Sequence, residues 1–204
     1  MALGGTLDIP NLLKAYRLGI FPWPIDVNGQ HFLAWFSPNP RGVLYTDRFH
    51  IPKSLKKIIR KKVFQVTFNR DFPQVIRQCA LAKRKNNDGT WITDEMIEAY
   101  TELHRQGHAY SVESSVDGEL VGGMYGVQIG QFFSGESMFF IKSDASKVAL
   151  ATLVERLRAH DIFFLDTQMV TPVSASLGAS EISRERFIKQ MGKLIDRPKI
   201  EIEI

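Results

Sequence analysis

Three apolar-rich segments follow one another with almost no chain between them: residues 109–115, 120–127 and 132–139, with Asp117-Gly118 and Gly130 at the joints. Joints this short cannot hold a crossover helix, so parallel pairing is closed to these segments and an antiparallel meander is left. The remaining elements must pack around that sheet. Apolar spacing predicts helices over 9–18, from Pro52 onward, and over 71–82, 93–106, 147–160 and 184–194. Short strands are expected at 43–46, 63–69 and 162–168. Thr93 offers a hydroxyl cap, with Asp94 and Glu95 at the positive helix start, and Gly107 reads as a stop. The order is a mixed α/β (α+β) chain with a largely antiparallel sheet, without the strict alternation of a doubly wound fold.

Ahead of this lies a stretch of different character. Pro22 and Pro24 exclude helix, and Asn28-Gly29 signals a hairpin turn between apolar flanks. Ser37-Pro-Asn-Pro-Arg41 reads as a linker, which places a boundary near residue 40: a small N-terminal domain over 1–40 and a larger one over 41–204. The abrupt Ala2-Leu-Gly-Gly start reads as a chain whose first strand or arm is absent. Hydrophobic residues make up 44% and charged residues 24%, so a buried core is expected. No apolar run approaches the ~18 residues of a membrane helix, and no basic segment precedes an apolar one at the N-terminus. The one cysteine, Cys79, sits at helical spacing among apolar residues and reads as a buried structural thiol. A cytoplasmic protein is the expectation.

The net charge of +4 is unevenly spread. Between residues 51 and 85 eleven Lys or Arg stand against one acid, Asp71, a local +10 that leaves −6 for the rest. On the helix that opens after Pro52, Leu55, Ile58 and Ile59 form one stripe and Lys53, Lys57, Arg60 and Lys61 another. Like charges at helical spacing repel, so folding gains nothing from them. A solvated amphipathic face is one reading; a phosphate-binding ridge for nucleic acid, extended by Arg77, Lys83, Arg84 and Lys85, is the other.

Candidate chemistry lies on the sheet. Gly122, Gly123 and Gly126 interrupt a strand, where glycine marks either close packing or a passage for substrate. Glu136 falls in a mostly apolar strand, and so does Asp166. Buried carboxylates are costly unless paired or used. Asp166 and Gln168, two apart, share a strand face and form either a structural pair or a device for holding an amine. Met124, Phe133 and Met138, and Leu150, Leu153 and Leu157 on one helix face, are core by default, though methionine also suits a pocket that accepts several apolar shapes.

Several short motifs then occur in order: Leu3-Gly-Gly, Ala15-Tyr16, Gly19-Ile-Phe-Pro-Trp23, Ser37-Pro38 with Pro40-Arg41, Gly89-Thr-Trp-Ile-Thr93, Glu119-Leu-Val-Gly-Gly-Met-Tyr-Gly126, Gly135-Glu-Ser-Met-Phe139, Ala145-Ser-Lys147 and Ser176-Leu-Gly-Ala179. Together they resemble the leucyl/phenylalanyl-tRNA–protein transferase family over nearly the whole chain. The resemblance implies a small N-terminal domain before a larger one similar to the GNAT acyltransferases. It implies transfer of Leu or Phe from aminoacyl-tRNA to proteins beginning with Arg or Lys, with no cofactor and no metal. By position, Asp166 and Gln168 would be the catalytic pair and Glu136 a site carboxylate. Met124, Phe133, Met138, Leu150, Leu153 and Leu157 would line the aminoacyl pocket, Trp23 and Trp91 would flank the terminal adenosine, and Lys53, Lys57, Arg60 and Lys61 would grip the tRNA body. The chain departs from the family pattern where Leu153 and Leu157 stand at positions that can be Phe, and where Thr171 and Val173 replace Asn and His.

Two other readings remain open. An acetyl-CoA-dependent GNAT enzyme would need a glycine-bearing pyrophosphate turn, and Lys142-Ser-Asp-Ala-Ser-Lys147 has no glycine. A non-catalytic RNA-binding protein would use the basic helix but leave Glu136, Asp166 and Gln168 without a task.

Overall fold

The computed structural model describes residues 2–27, 29–82 and 90–202. Asn28, Lys83, Arg84, Lys85 and Gly89, which bear on the hairpin turn, the ridge and one motif, lie outside the described residues. Ten strands and seven α-helices are described: β1 (Ala2–Leu3), α1 (Ile9–Arg17), β2 (Phe21–Val27), β3 (Gln30–Phe36), β4 (Arg41–Tyr45), α2 (Lys53–Arg60), β5 (Gln65–Phe68), α3 (Phe72–Leu81), α4 (Asp94–Arg105), β6 (Ala109–Val116), β7 (Glu119–Ile129), β8 (Phe132–Phe140), α5 (Ala145–Ala159), β9 (Phe164–Gln168), α6 (Pro172–Ser176), β10 (Ser180–Ile182) and α7 (Arg184–Met191).

They form two sheets. The smaller has the order β1-β3-β2 and the larger β10-β4-β9-β8-β7-β6-β5. The expected meander is the middle of the larger sheet: β6 pairs with β7 and β7 with β8, both antiparallel. Among the described residues the single parallel pairing is between β8 and β9, registered at Ser134 opposite Asp166. That register sets the site, because it puts the carboxylate strand beside the strand that carries Glu136.

Local chemistry explains most boundaries. Thr93 accepts a hydrogen bond from the Met96 amide and caps α4 as expected, and Asp8, Asp71 and Ser183 do the same for α1, α3 and α7. Three expectations need correction. Alternation over 63–69 puts Val63 on the inner face of a strand, but Val63 is exposed and Phe64 is buried, because the strand opens only at Gln65. The prolines of 37–41 read as a linker, yet Arg41 is the first residue of β4 and is buried. The strand glycines serve packing: a Cβ on Gly122 would meet that of Ala145 at 2.5 Å, and one on Gly126 would strike the Tyr110 ring and the Ser134 carbonyl.

One continuous core fills the space between the large sheet and its helices, with Phe72, Tyr100, Tyr125, Phe133, Phe164 and Leu157 fully buried. Each large apolar side chain removed from water contributes about 1.5–3 kcal/mol. Cys79 is among the buried residues, as expected of a structural thiol. No helix among the described residues is long and apolar enough to cross a membrane.

Candidate active site

Asp166 and Gln168 end β9, and Ser134 and Glu136 stand on the neighbouring β8. Alternation along each strand turns both pairs toward one face. The Ser134 hydroxyl lies 3.0 Å from Asp166 Oδ2, 3.0 Å from Glu136 Oε1 and 2.9 Å from Gln168 Nε2. A hydroxyl has one proton, so it serves one carboxylate at a time while accepting from the amide. Gln168 Nε2 also donates to Glu136 Oε1 at 3.0 Å. Both amide hydrogens are thereby placed, and Oε1 is the acceptor of the Gln168 side chain.

Asp166 is sealed. It has no exposed surface, and its oxygens accept four hydrogen bonds. Oδ1 takes the Arg41 Nε–H at 2.8 Å and the Gln168 backbone N–H at 3.0 Å; Oδ2 takes the Arg41 Nη2–H at 2.6 Å and the Ser134 hydroxyl. Three fixed donors, joined by the Ser134 proton whenever it turns this way, occupy nearly all the lone-pair directions of a carboxylate. In this arrangement Asp166 meets donors from within the chain and holds other groups in place. Gln168 is held in the left-handed region, at φ +52°, which is uncommon for any residue but glycine. The bond from its N–H to Asp166 keeps it there.

Glu136 is different. It is only half-buried, and its carboxyl is pushed up to about 7. Loss of hydration is the main cause and the nearby Asp166 charge adds to it, while hydrogen bonds from Tyr16 and Ser134 and the charge of Arg41 pull the other way. Tyr16 belongs to a buried pair, its hydroxyl 2.6 Å from that of Tyr100. Burial, then the Glu136 charge, hold both phenols well above their usual range, so both are donors near neutral pH.

The other expected site residues divide into three groups. Met124, Phe133, Leu150, Leu153 and Leu157 come together, but as packed core with at most 2% exposure, and Met138 beside them is half-buried. They do not surround an open cavity. A groove of about 970 Å³ is lined instead by residues such as Leu18, Trp35 and Ile188, next to Gly19 and Phe187, which hold Arg41. Met124 does reach the site, since its methyl end approaches Gly135 between Ser134 and Glu136. Trp23 and Trp91 are brought face to face, with ring centroids 4.9 Å apart and planes 14° apart. Lys53, Lys57, Arg60 and Lys61 are all exposed, and Leu55 anchors the opposite side of α2 in the core, near α5. Among the described residues, none of these four cations is in an ion pair. No cluster of three or more His, Cys, Asp or Glu suited to a metal ion occurs among the described residues.

Sequence reasoning missed Arg41, Ser134 and Tyr16 as parts of the site. Arg41 and Tyr16 stand inside recognisable motifs and Ser134 directly precedes one, but a side chain gives no sign in the sequence of which carboxylate it faces.

A carboxyl poised near neutrality beside a fixed amide is what an α/β acid–base enzyme needs. Comparisons with known proteins narrow the class. A family described as leucyl/phenylalanyl-tRNA protein transferase matches residues 43–192, and the N-terminal domain of the same family matches residues 5–39. The leucyl/phenylalanyl-tRNA–protein transferase of Desulfatibacillum aliphaticivorans is 48% identical over 200 residues, covering 98% of this chain and 84% of that one. The one from Pseudomonas fluorescens (strain Pf0-1) is 50% identical over 198 residues, covering 97% and 86%. Among solved structures, a functionally unknown conserved protein from Staphylococcus epidermidis ATCC 12228 is 10% identical, with a TM-score of 0.44 over 90% of this chain and 67% of that one, too distant to carry weight. The chain belongs to the leucyl/phenylalanyl-tRNA–protein transferase family, and by that membership it is an aminoacyltransferase.

Proposed function

We propose that this enzyme moves Leu or Phe, with Met as a further donor, from the 3′ end of an aminoacyl-tRNA to the α-amine of proteins beginning with Arg or Lys, marking them for N-degron degradation. Glu136 is the observation that carries the mechanism. An α-amine titrates near 8, and a carboxyl near 7 is well matched to take its proton. The acceptor amine binds at Gln168 Oε1, and Glu136 removes one ammonium proton. The neutral nitrogen attacks the ester carbonyl. The new C–N bond forms, the C–O bond to the terminal ribose breaks, and the second amine proton leaves with the ribose oxygen. Ester aminolysis is downhill and needs no ATP. Negative charge on Glu136 also favours a cationic acceptor.

Asp166 serves as a positioning group for Gln168. Met124, Phe133, Met138, Leu150, Leu153 and Leu157 supply the apolar surface for the donor side chain, which enters by displacing packed neighbours. Trp23 and Trp91 take the terminal adenosine, and Lys53, Lys57, Arg60 and Lys61 take backbone phosphates. A GNAT-like domain over 41–204 following a small domain over 1–40 is the organisation we assign, supported by the start of β4 at Arg41. The enzyme acts as a monomer in the cytoplasm.

The test is transfer of labelled Leu from Leu-tRNA to an Arg-initiated peptide. Wild-type turnover is expected to rise with pH through about 7. Glu136→Gln is expected to lower it by roughly 100-fold or more. Full-rate transfer by that variant would remove Glu136 from the chemistry, and no transfer by the wild type would end the functional reading.

A further inference from the structure

Arg41 is the most deeply buried cation of the described chain, 1% exposed, and the transfer steps do not use it. It sits where the N-terminal hairpin, β4, β9 and α7 meet. Its guanidinium lies 4.3 Å from the Phe187 ring centroid and 5.1 Å from that of Phe21. Two of its N–H groups form a fork onto Asp166, and Nη1 donates to the Gly19 carbonyl at 2.9 Å. Only a planar guanidinium makes these three bonds while stacked against rings.

The contacts continue on both sides. Phe21 meets Trp23 edge-on at 6.3 Å, and Trp23 stacks on Trp91. On the other side Asp166 holds the Gln168 backbone and the Ser134 hydroxyl, and both Ser134 and the Gln168 side chain touch Glu136.

We propose that Arg41 is a positioning residue for the transfer reaction, locking Asp166, and through it the Gln168–Ser134–Glu136 cluster, into register with the hairpin that carries Trp23. The inference rests on the reading of Glu136 and Gln168 as the groups that meet the acceptor amine. Without the fork, Asp166 would lose two of its fixed donors and turn toward other partners; without any cation there it would also be a buried charge lacking its counterion, and it would take up a proton. Its hold on the Gln168 N–H would then fail. Gln168 would be free to leave its left-handed conformation, and the amide would lose its aim. Displacements of this kind, on the order of 1 Å, reduce turnover by roughly 100-fold.

A second consequence is electrostatic. The titratable and charged groups around Glu136 are Asp166 on β9, Arg41 on β4, Tyr16 on α1, Tyr100 on α4 and Tyr110 on β6. Of these, Arg41 alone is a cation. Removing its charge while Asp166 stays ionised raises the pH at which Glu136 loses its proton.

Arg41→Lys and Arg41→Met are compared with the wild type by thermal unfolding, aminoacyl-tRNA binding, and turnover as a function of pH. The lysine variant keeps the charge and loses the fork. It is expected to fold, to bind aminoacyl-tRNA as the wild type does, and to lose roughly 100-fold in turnover with the rising limb of its pH profile in place. The methionine variant loses fork and charge together, and it is expected to lose at least as much turnover as the lysine variant, with that limb displaced. Wild-type turnover by Arg41→Lys would overturn the proposal, and so would loss of its fold together with its activity, since the role would then be structural. Absence of transfer by the wild type would strike the functional reading instead, and the two failures are distinguishable within one set of assays.

Discussion

Glu136 has consequences for stability as well as rate. Its carboxyl titrates near 7 in the folded chain against an ordinary value of 4.5. Between those two pH values the folded state binds the extra proton, so this group makes the protein less stable as pH rises, and the effect levels off above about 7. Each tenfold weakening of the acid corresponds to about 1.4 kcal/mol, which bounds the effect at roughly 3 to 4 kcal/mol. Glu136→Gln removes the titration. Denaturant unfolding of both proteins from pH 5 to pH 8 is expected to show the difference moving in favour of the glutamine variant; parallel curves would contradict the assigned environment. That Glu136 would be unusual was legible in the sequence, because a lone acid in an apolar strand is an anomaly. The guanidinium that neutralises Asp166 was not. Arg41 stands between Pro40 and Gly42, in a stretch whose prolines advertise exposed chain, and nothing in its neighbours announces burial. The sealing of Asp166 follows from contacts made across 125 positions of chain, beyond the reach of any local pattern.

Among the elements, those with strong local signals are the legible ones. The β6–β8 meander follows from its short turns, and α4 from its cap. β10, three residues long, has no periodicity to detect and exists because β4 offers it an edge. α2 divides as its spacing requires, with Leu55 inward and the cations outward. Two of those cations, Lys57 and Arg60, lie in its last turn, where the helix dipole favours positive charge by about 0.3–1 kcal/mol. Part of the ridge therefore has a structural reason. The Lys57→Glu, Arg60→Glu double variant is accordingly expected to lose a little stability and much more tRNA affinity. The slope of log affinity against log salt is expected to flatten by about 0.7–0.9 for each phosphate contact removed. An unchanged slope would leave these residues as a solvated face.

At the scale of the whole molecule, the mixed α/β class and the central antiparallel meander could be read from residue patterns, while the order of the seven-stranded sheet could not. β4 lies beside β9 although more than a hundred residues separate them, and that adjacency brings the end of the hairpin segment against the acid–amide cluster. The stacked Trp23 and Trp91 rings join the same chain of contacts through Phe21. Parallel indoles at 4.9 Å leave no room between them for a nucleobase, so the adenosine proposed to dock there would either part them or lie on an outer face. The pair is thereby a built-in optical reporter. Their coupled transitions are expected to give a bisignate exciton band in far-ultraviolet circular dichroism, absent from Trp91→Phe. Loss of that band on adding an adenosine-terminated RNA means the rings separate, and its persistence at saturation means the base docks outside them.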